Sequence, residues 1–221
     1  MSKNNDYRIL VTGSGGIGGV NFISALRIAN YNYHITGTDF NRFYLEFPQV
    51  DSKYITPKHS DPEFLQIIKN IIEKNKIQFL HPSPHSEASI IAKNIEQIKT
   101  STYLPDYNII IRDKLETQKI LEKNAIPVAK TEIVSSLNEI KIKKESFADD
   151  EVWVRMKSGA GGRLSLLCKN VVEVENWIEL WVNRGIAEYS DFIIQEYLPG
   201  RNIAYDSLWF KGKFIASYTR E

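Results

Sequence analysis

Two glycine-dense segments hold most of the chemistry this sequence could perform. The first, Gly13-Ser14-Gly15-Gly16-Ile17-Gly18-Gly19, follows an apolar run and opens an amphipathic stretch. It contains G-x-G-x-x-G, a spacing that lets backbone approach a phosphate at a helix N-terminus. Gly13, Gly15, Gly16 and Gly18 are therefore candidates for a substrate or phosphate loop. Asp39 ends the next apolar run, about where a dinucleotide fingerprint has its ribose-binding acid. Two readings stand side by side: a nicotinamide dinucleotide site, and a tight turn whose glycines serve geometry alone while Asp39 caps a loop. A short-chain dehydrogenase also needs a helical Tyr-x-x-x-Lys. The one match, Tyr54 to Lys58, contains Pro57, which breaks helical geometry.

The second segment is Val152-Trp153-Val154-Arg155-Met156-Lys157-Ser158-Gly159-Ala160-Gly161-Gly162-Arg163. An apolar strand delivers a basic residue into a glycine loop, and a second strand follows. Glycines let several backbone N–H groups face a polyphosphate without obstruction, and a cation at the strand end neutralises charge there. The plain alternative is a glycine-rich hairpin with surface charges. Two other pieces flank it: Arg112-Asp113-Lys114 begins a helix, and Gln195-Glu196-Tyr197-Leu198-Pro199-Gly200 ends an apolar strand. Taken singly, Lys114 also reads as a solvated helix-start lysine, Arg155 as a salt-bridged strand end and Glu196 as an exposed hairpin charge.

These residues need elements to carry them. Strands are expected at Tyr7 to Thr12, His34 to Thr38 and Ile77 to Leu80, with helices at Asn21 to Asn30, from Asp61-Pro62 onward, and at Ser86 to Ile98. Repeated β-α units predict a parallel, doubly wound sheet. After about residue 105 the texture becomes α+β. Helices are expected at Asp113 to Asn124 and Val171 to Asn183, and strands at Val152 to Val154, Leu164 to Cys168, Phe192 to Gln195, Ile203 to Phe210 and Phe214 to Thr219. Lys211-Gly212-Lys213 signals a tight turn. Leu137 to Asp150 is charged and weakly periodic, the pattern of a surface connection. Trp177 and Trp181 share one helix face and read as core packing rather than base stacking.

Composition narrows the classes. Hydrophobic residues make up 43% and charged ones 25% of 221 residues, an ordinary globular balance. A net charge of +1 gives no electrostatic case for nucleic acid or a membrane surface. The lone Cys168 sits among apolar residues and reads as buried. His34, His59, His81 and His85 lack metal-ligand spacing. The polar start and the absence of a long apolar stretch point to a cytoplasmic protein.

In their order and spacing, Lys114, the Arg155 glycine loop and the Gln195–Gly200 strand end resemble the ATP-grasp superfamily. They are most similar to the large chain of carbamoyl phosphate synthase and related carboxylate–amine ligases. The resemblance covers nearly the whole chain. It implies an α/β fold: a Rossmann-like parallel-sheet domain at 1–105 preceding the grasp, then the N-terminal part of an α+β ATP-grasp domain at 106–221. It implies that Lys114 and Arg155 bind ATP phosphates. Gly159, Gly161 and Gly162 would form the lid over them, and Glu196, Tyr197 and Leu198 the hinge that reads adenine. Many such enzymes have Lys-Pro where this chain has Arg155-Met156; arginine there is similar to the carbamoyl phosphate synthase branch. Asn202 lies near a ribose position that commonly holds an acidic residue or histidine.

The implied activity is ATP-dependent ligation of a small carboxylate and an amine through an acyl phosphate, with a homo-oligomer left open. The implied Mg2+ ligands are expected beyond residue 221, in a lobe this sequence does not match. The expectation is therefore of a fragment that binds ATP weakly and lacks full catalysis.

Overall fold

The computed structural model describes residues 7–159, 162 and 164–221. They fall into two compact units, divided between Arg112 and Asp113.

In the first unit the chain runs β1 (Tyr7–Thr12), α1 (Ile17–Ile28), β2 (Tyr33–Asp39), β3 (Ser52–Ile55), α2 (Phe64–Asn75), β4 (Phe79–Pro82), α3 (His85–Lys93), β5 (Ser101–Thr102) and α4 (Tyr107–Ile110). The five strands form one parallel sheet in the order β3-β2-β1-β4-β5. β1 is apolar on both faces because helices cover both. Leu10 packs with Phe64, Ile68, Ile71 and Ile72 of α2 and Ile91 of α3, while Ile9 and Val11 pack with Ile23 of α1. Each such side chain contributes roughly 1.5–3 kcal/mol on burial. The α2 positions recur at helical spacing. The helix stops at Lys76, whose left-handed backbone (φ 51°) turns its N–H back onto the Ile72 and Glu73 carbonyls.

The second unit holds α5 (Lys114–Lys123), β6 (Thr131–Ile133), α6 (Leu137–Glu145), β7 (Val152–Met156), β8 (Leu166–Cys168), α7 (Val171–Asn183), β9 (Phe192–Glu196), β10 (Ala204–Phe210) and β11 (Lys213–Arg220). An antiparallel sheet in the order β6-β9-β7-β8 packs α6 and α7 over a core of Val152, Val154, Cys168, Val174, Ile178, Phe192 and Ile194. β10 and β11 pair as a separate hairpin through Lys211 (φ 48°) and Gly212 (φ 75°), two consecutive left-handed residues.

Two expectations are corrected. The stretch from Leu137 is a helix rather than a surface connection. Its polar surface hides Ile140, fully buried in the core beside Phe147. The first helix begins at Ile17 rather than Asn21, so Gly18 and Gly19 are helical. Among the described residues no helix is long and apolar enough to cross a membrane.

Candidate functional site

In the second unit, alternation along β7 sends Val152 and Val154 into the core and leaves Arg155 on the opposite side of the strand. Arg155 is partly buried, and its Nε has no hydrogen-bond partner among the described residues. Burial lowers its pKa, the mark of a cation held without a compensating anion. Lys114 is the first residue of α5. Asp113 caps that helix by accepting from the Glu116 N–H at 2.7 Å. The Lys114 backbone N–H donates to the Lys157 carbonyl (2.9 Å), and its ammonium donates to the Gly159 carbonyl (2.8 Å). Burial depresses its pKa, and the charge of Arg155 depresses it further, against the opposing pull of Asp113. The two cations thus stand close enough to repel, and neither forms an ion pair with a carboxylate among the described residues.

The glycine loop lies directly beyond. Gly159 (φ 88°) and Gly162 (φ 66°) adopt left-handed backbone, and a side chain at either would meet open space. Conformation, not crowding, requires glycine at these positions. Gly161 lies outside the described residues.

At the far end of the same sheet, the Glu196 N–H donates to the Lys130 carbonyl (2.8 Å), while its carboxylate accepts from the Lys130 N–H (3.1 Å). Glu196 is exposed, with its carboxylate bound to neighbouring backbone. A cavity of about 240 Å3 lies here, lined by Lys130, Phe147, Glu151 and Glu196 among others. The Lys130 ammonium sits 5.3 Å from the Phe147 ring centre. Tyr197 and Leu198 follow the strand, Leu198 exposed. The pairing of Lys130 with Glu196 across two strand ends is invisible in the sequence without the register.

In the first unit the glycines are crowded. A Cβ on Gly13 would lie 2.1 Å from the Pro84 ring, and one on Gly15 2.3 Å from the Tyr44 carbonyl oxygen. Gly18 faces Ser83, and Gly16, exposed, caps α1. Asp39 is buried and engaged. Its carboxylate accepts from the Gly15 N–H (3.3 Å) and the Asn41 N–H (2.9 Å). Packing requires glycine at Gly13 and Gly15, Gly16 and Gly18 are exposed, and Asp39 caps the following loop.

Glu87, in the first turn of α3, was not singled out by sequence, since acids are ordinary there. It is only 6% exposed, and one carboxylate oxygen is buried without a partner among the described residues. Burial, with the charge of Asp39 adding, pushes its pKa from 4.5 to about 7; the Thr12 hydroxyl beside it tempers the shift without meeting hydrogen-bond geometry. It sits where the strand order reverses between β1 and β4, the place where doubly wound sheets open a ligand crevice. His81 stacks on Phe22 at 3.7 Å and is kept neutral, burial lowering its pKa to about 4. Cys168 is buried, its thiol pushed up to about 11 by burial and then by Glu173.

No protein-family model matches the sequence, and no curated protein matches it. Solved structures do. N5-carboxyaminoimidazole synthetase from Staphylococcus aureus, complexed with ADP, superposes with TM-score 0.69 at 15% identity over 100% of this chain and 58% of its own. L-amino acid ligase from Bacillus licheniformis gives 0.68 at 14% over 96% and 49%. The biotin carboxylase domain dimer of Hydrogenobacter thermophilus 2-oxoglutarate carboxylase, with MgADP, ADP and bicarbonate, gives 0.63 at 17% over 90% and 45%. These are ATP-grasp proteins, and their likeness shows the fold. The chain spans about half the length of the structures it matches.

Proposed function

We propose that the second unit binds the polyphosphate of ATP, as the nucleotide-binding portion of a cytoplasmic, ATP-dependent carboxylate–amine ligase of carbamoyl phosphate synthase type. The observation that carries this is the pair Lys114 and Arg155, two close cations with no carboxylate ion pair among the described residues, the first of them bound to the left-handed Gly159. Such an arrangement is unfavourable alone and becomes favourable when an anion arrives. The guanidinium offers a planar fork of donors and the ammonium a compact charge. Gly159 and Gly162 leave the approach to backbone clear. The cavity beside Lys130 and Glu196 suits a flat base.

ATP supplies the phosphoryl group that activates a carboxylate towards an amine. The residues present here bind and orient that group by neutralising its charge. Among the described residues no cluster of three or more His, Cys, Asp or Glu could hold a metal, so no step is assigned through Mg2+.

Calorimetric titration with MgATP tests the reading. The wild-type chain is expected to bind, and Arg155→Ala to weaken binding by roughly tenfold to a hundredfold, the size of a charged hydrogen bond. Equal affinity in wild type and Arg155→Ala would remove Arg155 from the site.

A further inference from the structure

The inward face of α6 carries two buried residues one turn apart, Ile140 and Lys144. Ile140 joins the core. Lys144 is only 7% exposed, and its ammonium must find partners, because a buried charge without them is strongly destabilising. It finds them on the connection between α6 and β7. The ammonium donates to the Asp149 carbonyl (3.0 Å) and lies 3.8 Å from the carboxylate of Asp150, whose side chain is 98% exposed. Among the described residues no backbone–backbone hydrogen bond holds Ala148, Asp149 or Asp150. A buried side chain therefore fixes this connection where its own backbone does not.

The same connection forms a wall of the cavity beside Glu196, to which it gives Ser146, Phe147, Asp149 and Glu151. Its near end is tied to the cavity's own lining: the Ser146 carbonyl accepts from the Lys130 ammonium, which also sits on the Phe147 ring. Its far end is tied by Lys144, which does not line the cavity. Moving that end would strand the ammonium without its carbonyl, so the buried charge sets the position of the wall.

We propose that Lys144 is a positioning residue for base recognition: through the Asp149 carbonyl it holds the wall against which a nucleobase lies, without touching the base. This rests on the reading of the second unit as a nucleotide site, but the anchor can be tested without nucleotide. Lys144→Met keeps the stem and removes the ammonium. In the ligand-free variant the NMR order parameters of Ala148, Asp149 and Asp150 are expected to fall from the rigid range, about 0.85, to below about 0.6. Asp150→Ala, which removes only an exposed partner, is expected to leave those of Ala148 and Asp149 unchanged. Adenosine and MgATP are expected to bind Lys144→Met about tenfold more weakly, the size of one hydrogen bond from a charged donor. Tripolyphosphate is expected to bind it as it binds the wild type, because phosphate does not meet this wall. If Lys144→Met fails to fold, Lys144→Gln, uncharged and too short to reach Asp149, takes its place. Unchanged order parameters overturn the anchor. Unchanged adenosine affinity, or an equal loss for tripolyphosphate, overturns its link to the base. A wild type that binds tripolyphosphate but not adenosine takes the base out of this cavity and overturns the proposal while the polyphosphate reading stands. A wild type that binds neither overturns that reading as well, and the order parameters still judge the anchor.

Discussion

Gly13 to Gly19 and Gly159 to Gly162 look alike as strings and differ as structures. In the first loop, glycine is needed at Gly13 and Gly15 because the molecule's own Pro84 and Tyr44 press against the backbone there. In the second, nothing among the described residues lies within 4 Å of the Cβ positions at Gly159 and Gly162, where left-handed φ favours glycine. A crowded glycine is already spoken for by the fold. An open one, beside cations without an ion pair among the described residues, leaves room for something else. The difference teaches that the glycine motif by itself says little about phosphate; what the Cβ would meet says more.

Substitutions can break or sharpen this contrast. The largest effect is expected at Gly13, where alanine meets both a rigid proline ring and a left-handed backbone (φ 57°). Overpacking and strain together should destabilise the chain by about 3 kcal/mol or more in chemical denaturation. A loss under about 1 kcal/mol would show that Pro84 yields easily and that the first loop is as open as the second.

Next comes Glu87→Gln. Between about pH 4.5 and pH 7 the folded chain keeps a proton on Glu87 that the unfolded chain has lost. Rising pH therefore draws the equilibrium towards unfolding, and this loss is complete above about pH 7. The shift corresponds to roughly 3 kcal/mol. The melting-temperature difference between Glu87→Gln and wild type should grow in the mutant's favour from pH 5 to pH 7 and then level off. A constant difference would mean that Glu87 ionises normally in the fold.

The smallest stability effect is expected at Gly159→Ala, about 1 kcal/mol, since only backbone conformation opposes it. Its effect on MgATP affinity should exceed its effect on stability, the reverse of Gly13→Ala.

Much of the scaffold was legible. β1 and α7 fall at the boundaries their apolar patterns predict, and the turn at Lys211-Gly212 announces its hairpin. α6 was not legible because its inward face carries the buried Lys144 one turn after Ile140, and a lysine on the core side erases the apolar period. β6 spans only three residues, too few to alternate. Lys114, Arg155 and Gly159 stand out in the sequence as an ordered set, and the structure puts the Lys114 ammonium on the Gly159 carbonyl and within reach of the Arg155 charge. Glu87 was not legible: an acid in a first helical turn is an ordinary residue, and only a buried oxygen without a partner among the described residues sets it apart.

The most direct test is a backbone amide NMR titration of this chain with MgATP. The account predicts that shifts concentrate at Lys114, Arg155, Gly159 and Gly162, with Gly13 to Gly18 unmoved. Shifts confined to Gly13 to Gly18, with the second loop silent, would contradict it and return the nucleotide to the parallel sheet.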